Sequence, residues 1–168
     1  MTTTMTETNV TTQVYRVYIK AAPQAIWDAI TQPEWTERFG YGGRSEYELR
    51  PGGTYRGFTS EAMRAHGAPD LAVDGEVVEA DPPHKLVQTF RMLMDADMAA
   101  EGFTRLTYEI SERGGGLSRL TVVHELEGAP RLAALMAGEM EDGGAGGGWS
   151  FILSGLKTLL ETGDSLVH

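Results

Sequence analysis

Four histidines, at positions 66, 84, 124 and 168, are the side chains best suited by type to hold a metal or move a proton near neutral pH. Their spacing speaks against a metal, because no two stand i, i+4 or as H-x-H. Cysteine is absent, which removes thiolate ligands, disulfides and a cysteine nucleophile. Asp95 and Asp97 begin like a calcium loop, but no Gly or Glu follows in register, so the pair reads as the solvated part of a loop. The signatures of dinucleotide sites, P-loops, nucleophile elbows and zinc proteases are missing. The glycines at 143–148 end in Trp149 and do not stand between a strand and a helix, so they do not read as a phosphate loop. His124 is left. It could hydrogen-bond a ligand, or act as a general acid/base with Tyr55 or Tyr108, since its pKa is easily tuned across neutrality. It reads equally as a satisfied histidine capping a core. Glu125 should face away from it, so adjacency makes no His–carboxylate pair. No residue is assigned as catalytic, and no metal or cofactor is expected.

The elements that must position His124 follow from periodicity. VYRVYI from Val14 is a β-rich first strand. Ala22-Pro23 opens a helix with Ile26, Ala29 and Ile30 as its apolar stripe and Trp27 beside it, and Gln32-Pro33 ends it. A second short helix, Glu34 to Phe39, carries Trp35 and Phe39 four apart on one face. Ser45–Arg50 alternates, with Tyr47 and Leu49 on one side. Arg50-Pro51-Gly52-Gly53 is a tight turn into Thr54–Thr59, where Gly57 marks a bulge. Residues 60–70 read as a loop, and strands follow at 71–79, 85–92, 104–111 and 117–125. After Pro130, Leu132, Leu135, Met136 and Met140 recur at helical spacing. Trp149, Ile152, Leu153, Leu156, Leu159 and Leu160 mark the strongest helix in the chain. Strands in a run followed by helices predict an α+β fold, with an antiparallel sheet whose apolar face packs on the final helix.

An antiparallel meander sends its links to alternate ends. The short turns, Arg50–Gly53, Ala80–His84 and Arg113–Gly116, fall at one end. The long links, 60–70, 93–103 and 126–148, fall at the other, where sites are usually built. Apart from Met1 and Met5, every methionine (63, 92, 94, 98, 136, 140) lies in or beside the long-link end. Methionine suits surfaces that adapt to varied apolar ligands, and equally fills gaps in cores. Alternation gathers Leu86, Gln88, Phe90 and Met92 on one face, with Leu106, Tyr108 and Ile110, and with Leu120, Val122 and His124. These faces, with Trp35, Phe39, Tyr47, Tyr55 and Trp149, line the space between sheet and helix, as core or as ligand wall. The expected ligand-binding set is Trp35, Phe39, Tyr55, Phe90, Met92, Tyr108, His124, Met136 and Met140.

Charge narrows the partners. The 168 residues carry 14 Lys+Arg against 24 Asp+Glu, a formal −10, and the pI is near 4.8. That disfavours nucleic acid and anionic lipid. No stretch approaches a membrane span. MTTTMTETNVTTQ lacks the basic and apolar regions of a secretory signal, so a cytoplasmic protein is expected, and Asn9-Val10-Thr11 is read as a chance sequon. Three regions are expected: a Thr-rich disordered tail at 1–13, one domain at 14–162 and a C-terminal tail at 163–168.

The ordered set of stretches from Val14 to Leu160 resembles the SRPBCC, or START-like, superfamily, and within it the domain family named for the activator of heat-shock protein 90 ATPase. The stretches are Ala22-Pro23-Gln24-Ala25-Ile26-Trp27, Trp35–Phe39, Leu49-Arg50-Pro51-Gly52-Gly53-Thr54-Tyr55, Gly75-Glu76-Val77-Val78-Glu79, Pro82-Pro83-His84-Lys85-Leu86-Val87, Thr121-Val122-Val123-His124 and Gly148-Trp149. The resemblance implies a helix-grip fold: about seven curved antiparallel strands around a long C-terminal helix, over a hydrophobic cavity. It brings no universal catalytic residue. No extra domain of the kind carried by eukaryotic chaperone activators is expected, which counts against chaperone activation. The helix and glycines at 130–148 read as a hinged lid or as a tolerated insertion. Three functions compete: a binder of a small hydrophobic molecule, a cyclase- or hydratase-type enzyme using His124 with a tyrosine, and a chaperone-linked stress-response interaction protein. A second polar group converging on His124 in the cavity favours the enzyme. An apolar wall favours the binder. A large exposed apolar patch favours the interaction protein or a homodimer.

Overall fold

The strands lie where two-residue alternation and turn chemistry place them. In the computed structural model, which describes residues 11–167, Thr12–Ile19 is β1, Ser45–Tyr47 β2, Thr54–Phe58 β3, Leu71–Asp81 β4, Lys85–Met92 β5, Thr104–Gly114 β6 and Leu117–Glu125 β7. They form one antiparallel sheet in the order β1-β7-β6-β5-β4-β3-β2. The first strand therefore closes onto the last, while the others follow as a meander. Gly57 does mark an irregularity: the β3–β4 register shifts between Gly57 and Phe58.

The helices are α1 (Pro23–Thr31), α2 (Pro33–Thr36), α3 (Glu61–Ala65), α4 (Ala96–Ala100), α5 (Pro130–Met136) and α6 (Gly148–Thr162). Helix α6 packs Trp149, Leu153 and Leu156 into one core with Leu106, Ile110, Leu120 and Val122 of the sheet's inner face, all buried. This is the helix-grip arrangement. Among the described residues no helix is long and apolar enough to cross a membrane.

Several expectations are corrected. Leu49 does not share the inward face with Tyr47: β2 ends at Tyr47, the chain turns toward Pro51, and Leu49 is exposed. The second helix is a single turn that stops at Thr36, so Phe39 lies beyond it. The link at 60–70 holds α3, whose N-terminus Ser60 caps by accepting from the Met63 amide at 3.2 Å. Asp95 is a helix cap as well, accepting from the Asp97 and Met98 amides at 2.8 and 3.1 Å. Gln13, assigned to the tail, pairs with His124 in β1–β7 register and donates to the Ala133 carbonyl at 2.8 Å. Thr12, likewise assigned to the tail, opens β1, while residues 1–10 lie outside the described residues, as does His168.

Helix α5 sits over the long-link end of the sheet and is held from both sides. Its N-cap, Ala129, has no side chain to offer. The Glu101 carboxylate, just after α4, takes its place and accepts from the Arg131 and Leu132 amides at 2.9 and 3.2 Å. At the far end the Tyr15 hydroxyl reaches the Met136 carbonyl at 3.4 Å. Glu101→Ala is expected to cost about 1–2 kcal/mol in a urea unfolding series, as for loss of a good N-cap at a helix start. An unchanged midpoint would show that α5 does not depend on this carboxylate.

Candidate functional site

Curling the sheet round α6 leaves a cavity of about 700 Å³. Its floor is the inner face of the strands, with Tyr47 from β2, Tyr55 from β3, Val73 from β4, Phe90 and Met92 from β5, Tyr108 from β6 and Leu120 from β7. Trp149, Ile152, Leu153 and Leu156 of α6 form the opposite wall. Each long link closes part of the rim: Ser60 and Met63 from the first, Met94 and Met98 from the second, Leu135, Met136 and Met140 from the third. None of the short turns contributes a residue. The large exposed side chains of the wall, Tyr41, Met94 and Met140, mark where it meets solvent.

Seven of the nine expected residues line this space: Phe39, Tyr55, Phe90, Met92, Tyr108, Met136 and Met140. Two do not. Trp35 packs partly buried against the core, with the Arg38 guanidinium 5.0 Å above its ring. His124 is fully buried behind Trp149, one layer below the cavity wall.

The hydrogen bonds of His124 define its chemistry. Indole nitrogen is donor only, so Trp149 Nε1–H donates to His124 Nδ1, at 3.1 Å. Nδ1 is then the bare nitrogen and Nε2 carries the proton, which goes to Thr104 Oγ1 at 2.8 Å. The Thr104 hydroxyl in turn donates to the Phe90 carbonyl at 3.0 Å. Every polar atom in this Trp149–His124–Thr104 relay is paired, and the His124 ring lies nearly perpendicular to those of Phe90 and Trp149, with centroids 5.2 and 5.9 Å away. Burial pulls the His124 pKa down to about 4. It is a neutral core histidine that holds Trp149 in place, with no ring nitrogen turned to the cavity.

The polar groups that the strands bring to the inner wall include three phenols. Tyr47 Oη donates to the Gln88 side-chain oxygen at 2.6 Å, and Gln88 is itself fully buried. The Tyr47 and Tyr55 rings lie 4.7 Å apart, and Phe90 stacks 6.4 Å from Tyr55. Burial raises the pKa of Tyr47, Tyr55 and Tyr108, so all three keep their protons at neutral pH. They can donate hydrogen bonds but cannot serve as bases there.

Sequence reasoning left Ser45, Tyr41 and the glycine stretch out of the wall. Tyr41 stacks on Phe151 at 5.4 Å, and its hydroxyl accepts from the Gly148 amide at 3.1 Å. A Cβ on Gly148, at φ +67°, would collide with the Met136 carbonyl oxygen. The close approach of these backbones was the available signal: Gly148 is needed where α5 and α6 touch.

A curved sheet gripping one long helix over an apolar cavity defines a START-like domain. A family model described as "Activator of Hsp90 ATPase homolog 1-like protein" matches residues 20–161, and the chain belongs to that family. Among solved structures, it is similar to an HSP90 activator from Plasmodium falciparum, with 16% identity over 89% of this chain and 95% of that one and a TM-score of 0.61. It is similar to the Aha1 dimer from Colwellia psychrerythraea, with 17% identity over 90% and 97% and a TM-score of 0.62. CalU16 from Micromonospora echinospora aligns with 17% identity over 78% of this chain and 69% of its own, with a TM-score of 0.56. At such identities the likeness is one of fold. No curated protein sequence matches the chain.

Proposed function

We propose that the protein binds a small hydrophobic molecule in the cavity between the sheet and α6. The observation that carries this reading is the composition of the wall. All six methionines of the long-link end line it, together with Phe39, Tyr55, Phe90, Tyr108 and Trp149. A well-packed core leaves few voids larger than a water molecule, whereas about 700 Å³ falls within the range of small-molecule pockets. A flexible, polarizable lining suits ligands of varied shape. The enzyme reading has less support, because His124 is spent on Trp149 and Thr104 and the phenols stay protonated. The dimeric Colwellia relative supports a homodimer, as do Val14 and Tyr18, exposed on the edge strand β1. Sedimentation would measure that directly.

The ligand should enter between the long links. Native mass spectrometry of protein taken from cell extract is expected to find a small apolar molecule travelling with the chain. A hydrophobic compound at a hundredfold excess over its Kd should raise stability by about 2.7 kcal/mol. Met94→Lys and Met140→Lys, at the solvent-facing rim, are expected to weaken that binding about tenfold by setting a charge at an apolar entrance. Glu112→Lys, exposed at the short-turn end, should leave it unchanged. Binding lost in Glu112→Lys and kept in both methionine variants would put the entrance at the other end. A protein that binds no apolar compound would make the chaperone-linked interaction reading the better one.

A further inference from the structure

The cavity wall is selective in charge as well as shape. Among the described residues it carries no lysine, arginine or histidine. Its one carboxylate, Asp95, is occupied at the N-terminus of α4. A ligand carboxylate or phosphate brought inside would therefore meet no counter-charge, and an unpaired ion in an apolar site is strongly disfavoured. The three phenols on the strands offer something different, while the fourth, Tyr41, is exposed at the rim. The Tyr47 proton is committed to Gln88. The Tyr55 hydroxyl lies near that of Ser45, both beside Gly57 on the outer strands β2 and β3. Tyr108 lies between Leu86 and Val122 in the middle of the sheet, half-buried, with its ring nearly perpendicular to that of Trp149 at a centroid distance of 6.1 Å. Among the described residues its hydroxyl donates to no other group, and it faces the cavity. The site thus holds neutral donors and no cation in a mainly apolar wall, and Tyr108 is the phenol set at the middle of the sheet with no hydrogen-bond partner.

We propose that the cavity selects an uncharged carbonyl compound, and that the Tyr108 hydroxyl is the specificity-determining donor to its carbonyl oxygen. This rests on the cavity being a ligand site, and it adds which ligands the site accepts and which it turns away. A neutral carbonyl keeps its hydrogen bond on leaving water, because Tyr108 replaces the lost water. A hydrocarbon of the same shape leaves the phenol unpaired. An acid of the same shape loses its hydration and gains neutral donors only, with no cation to balance its charge.

Three probes of one shape separate these cases: fluorene, fluorenone and fluorenone carboxylate, each measured by equilibrium dialysis near neutral pH against the wild-type chain and Tyr108→Phe. The expected result is that Tyr108→Phe weakens fluorenone about fivefold, the range of one neutral hydrogen bond, and leaves fluorene within about twofold. The carboxylate should bind the wild-type chain at least about tenfold more weakly than fluorenone. Unchanged fluorene binding also shows that the variant keeps its cavity. Equal losses for fluorene and fluorenone, no loss for either, or a carboxylate that binds more tightly than the ketone would each overturn the assignment while leaving a hydrophobic pocket in place. If neither fluorene nor fluorenone binds the wild-type chain, the ligand-site reading itself fails, and the assignment falls with it.

Discussion

Trp149→Ala is expected to lower the unfolding free energy by about 3–5 kcal/mol, read from urea denaturation at constant m-value. Three losses add. The indole is 3% exposed, so its truncation leaves a void that the neighbouring rings of Tyr108 and His124 cannot fill. It also removes the donor to His124 Nδ1 and leaves a buried acceptor unpaired. Finally it breaks the wall between His124 and the cavity. Trp149→Phe separates the first loss from the second. It keeps most of the packing and removes only the N–H, so a cost of about 1–2 kcal/mol is expected. A near-neutral alanine variant would mean that the indole is not part of the core and that the phase of α6 is wrong.

Much of the fold could be read from the chain because its elements obey local rules. The strands at 85–92 and 117–125 have clean alternation between Pro- or Gly-bearing turns, and the structure returns those boundaries. Helix α6 was equally plain, since its leucines recur at helical spacing from Trp149 onward. What escaped was set by caps too short to read or by partners distant in sequence. Three short helices lie in or open the long links, and α5 alone showed periodicity. Helices α3 and α4 are single turns fixed by the caps Ser60 and Asp95, a signal that also fits a loop. Thr12 and Gln13 look like tail by composition, yet β7 supplies an edge that makes them strand.

The cavity was legible in part, and the two misplaced residues show the limit. Alternation correctly puts His124 and Tyr108 on the same face of neighbouring strands. It cannot say which of them a large side chain from α6 will cover. Trp149 enters from that helix and seals His124 off, leaving Tyr108 open. Trp35 fails for a similar reason. Spacing four apart with Phe39 assumes a continuous helix, but α2 ends at Thr36, and the two rings part company.

The burial of His124 leaves a pH signature. In the unfolded chain its imidazole takes a proton near 6.5, while in the folded chain it does so only at about 4. Between those values the unfolded state binds more protons, so stability must fall as pH falls. The contribution is complete above about pH 6.5, is lost progressively on the way down, and levels off below about pH 4. At about 1.4 kcal/mol per pH unit, the loss comes to about 3 kcal/mol. Carboxylates titrate in the same acid range, so the wild-type curve alone does not isolate it. The difference between wild type and His124→Gln does, because their other groups are common to both. Wild type should lose about 3 kcal/mol more than the variant between neutral pH and pH 4. The imidazole proton resonances of His124 should stay flat until close to pH 4. Protonation would also set an Nδ1–H against the Trp149 N–H, donor against donor, so Trp149→Phe should move the His124 midpoint upward. A His124 midpoint near 6.5 in the folded wild-type chain would show instead that the ring is reached by water, and would return it to the list of groups able to act within the cavity.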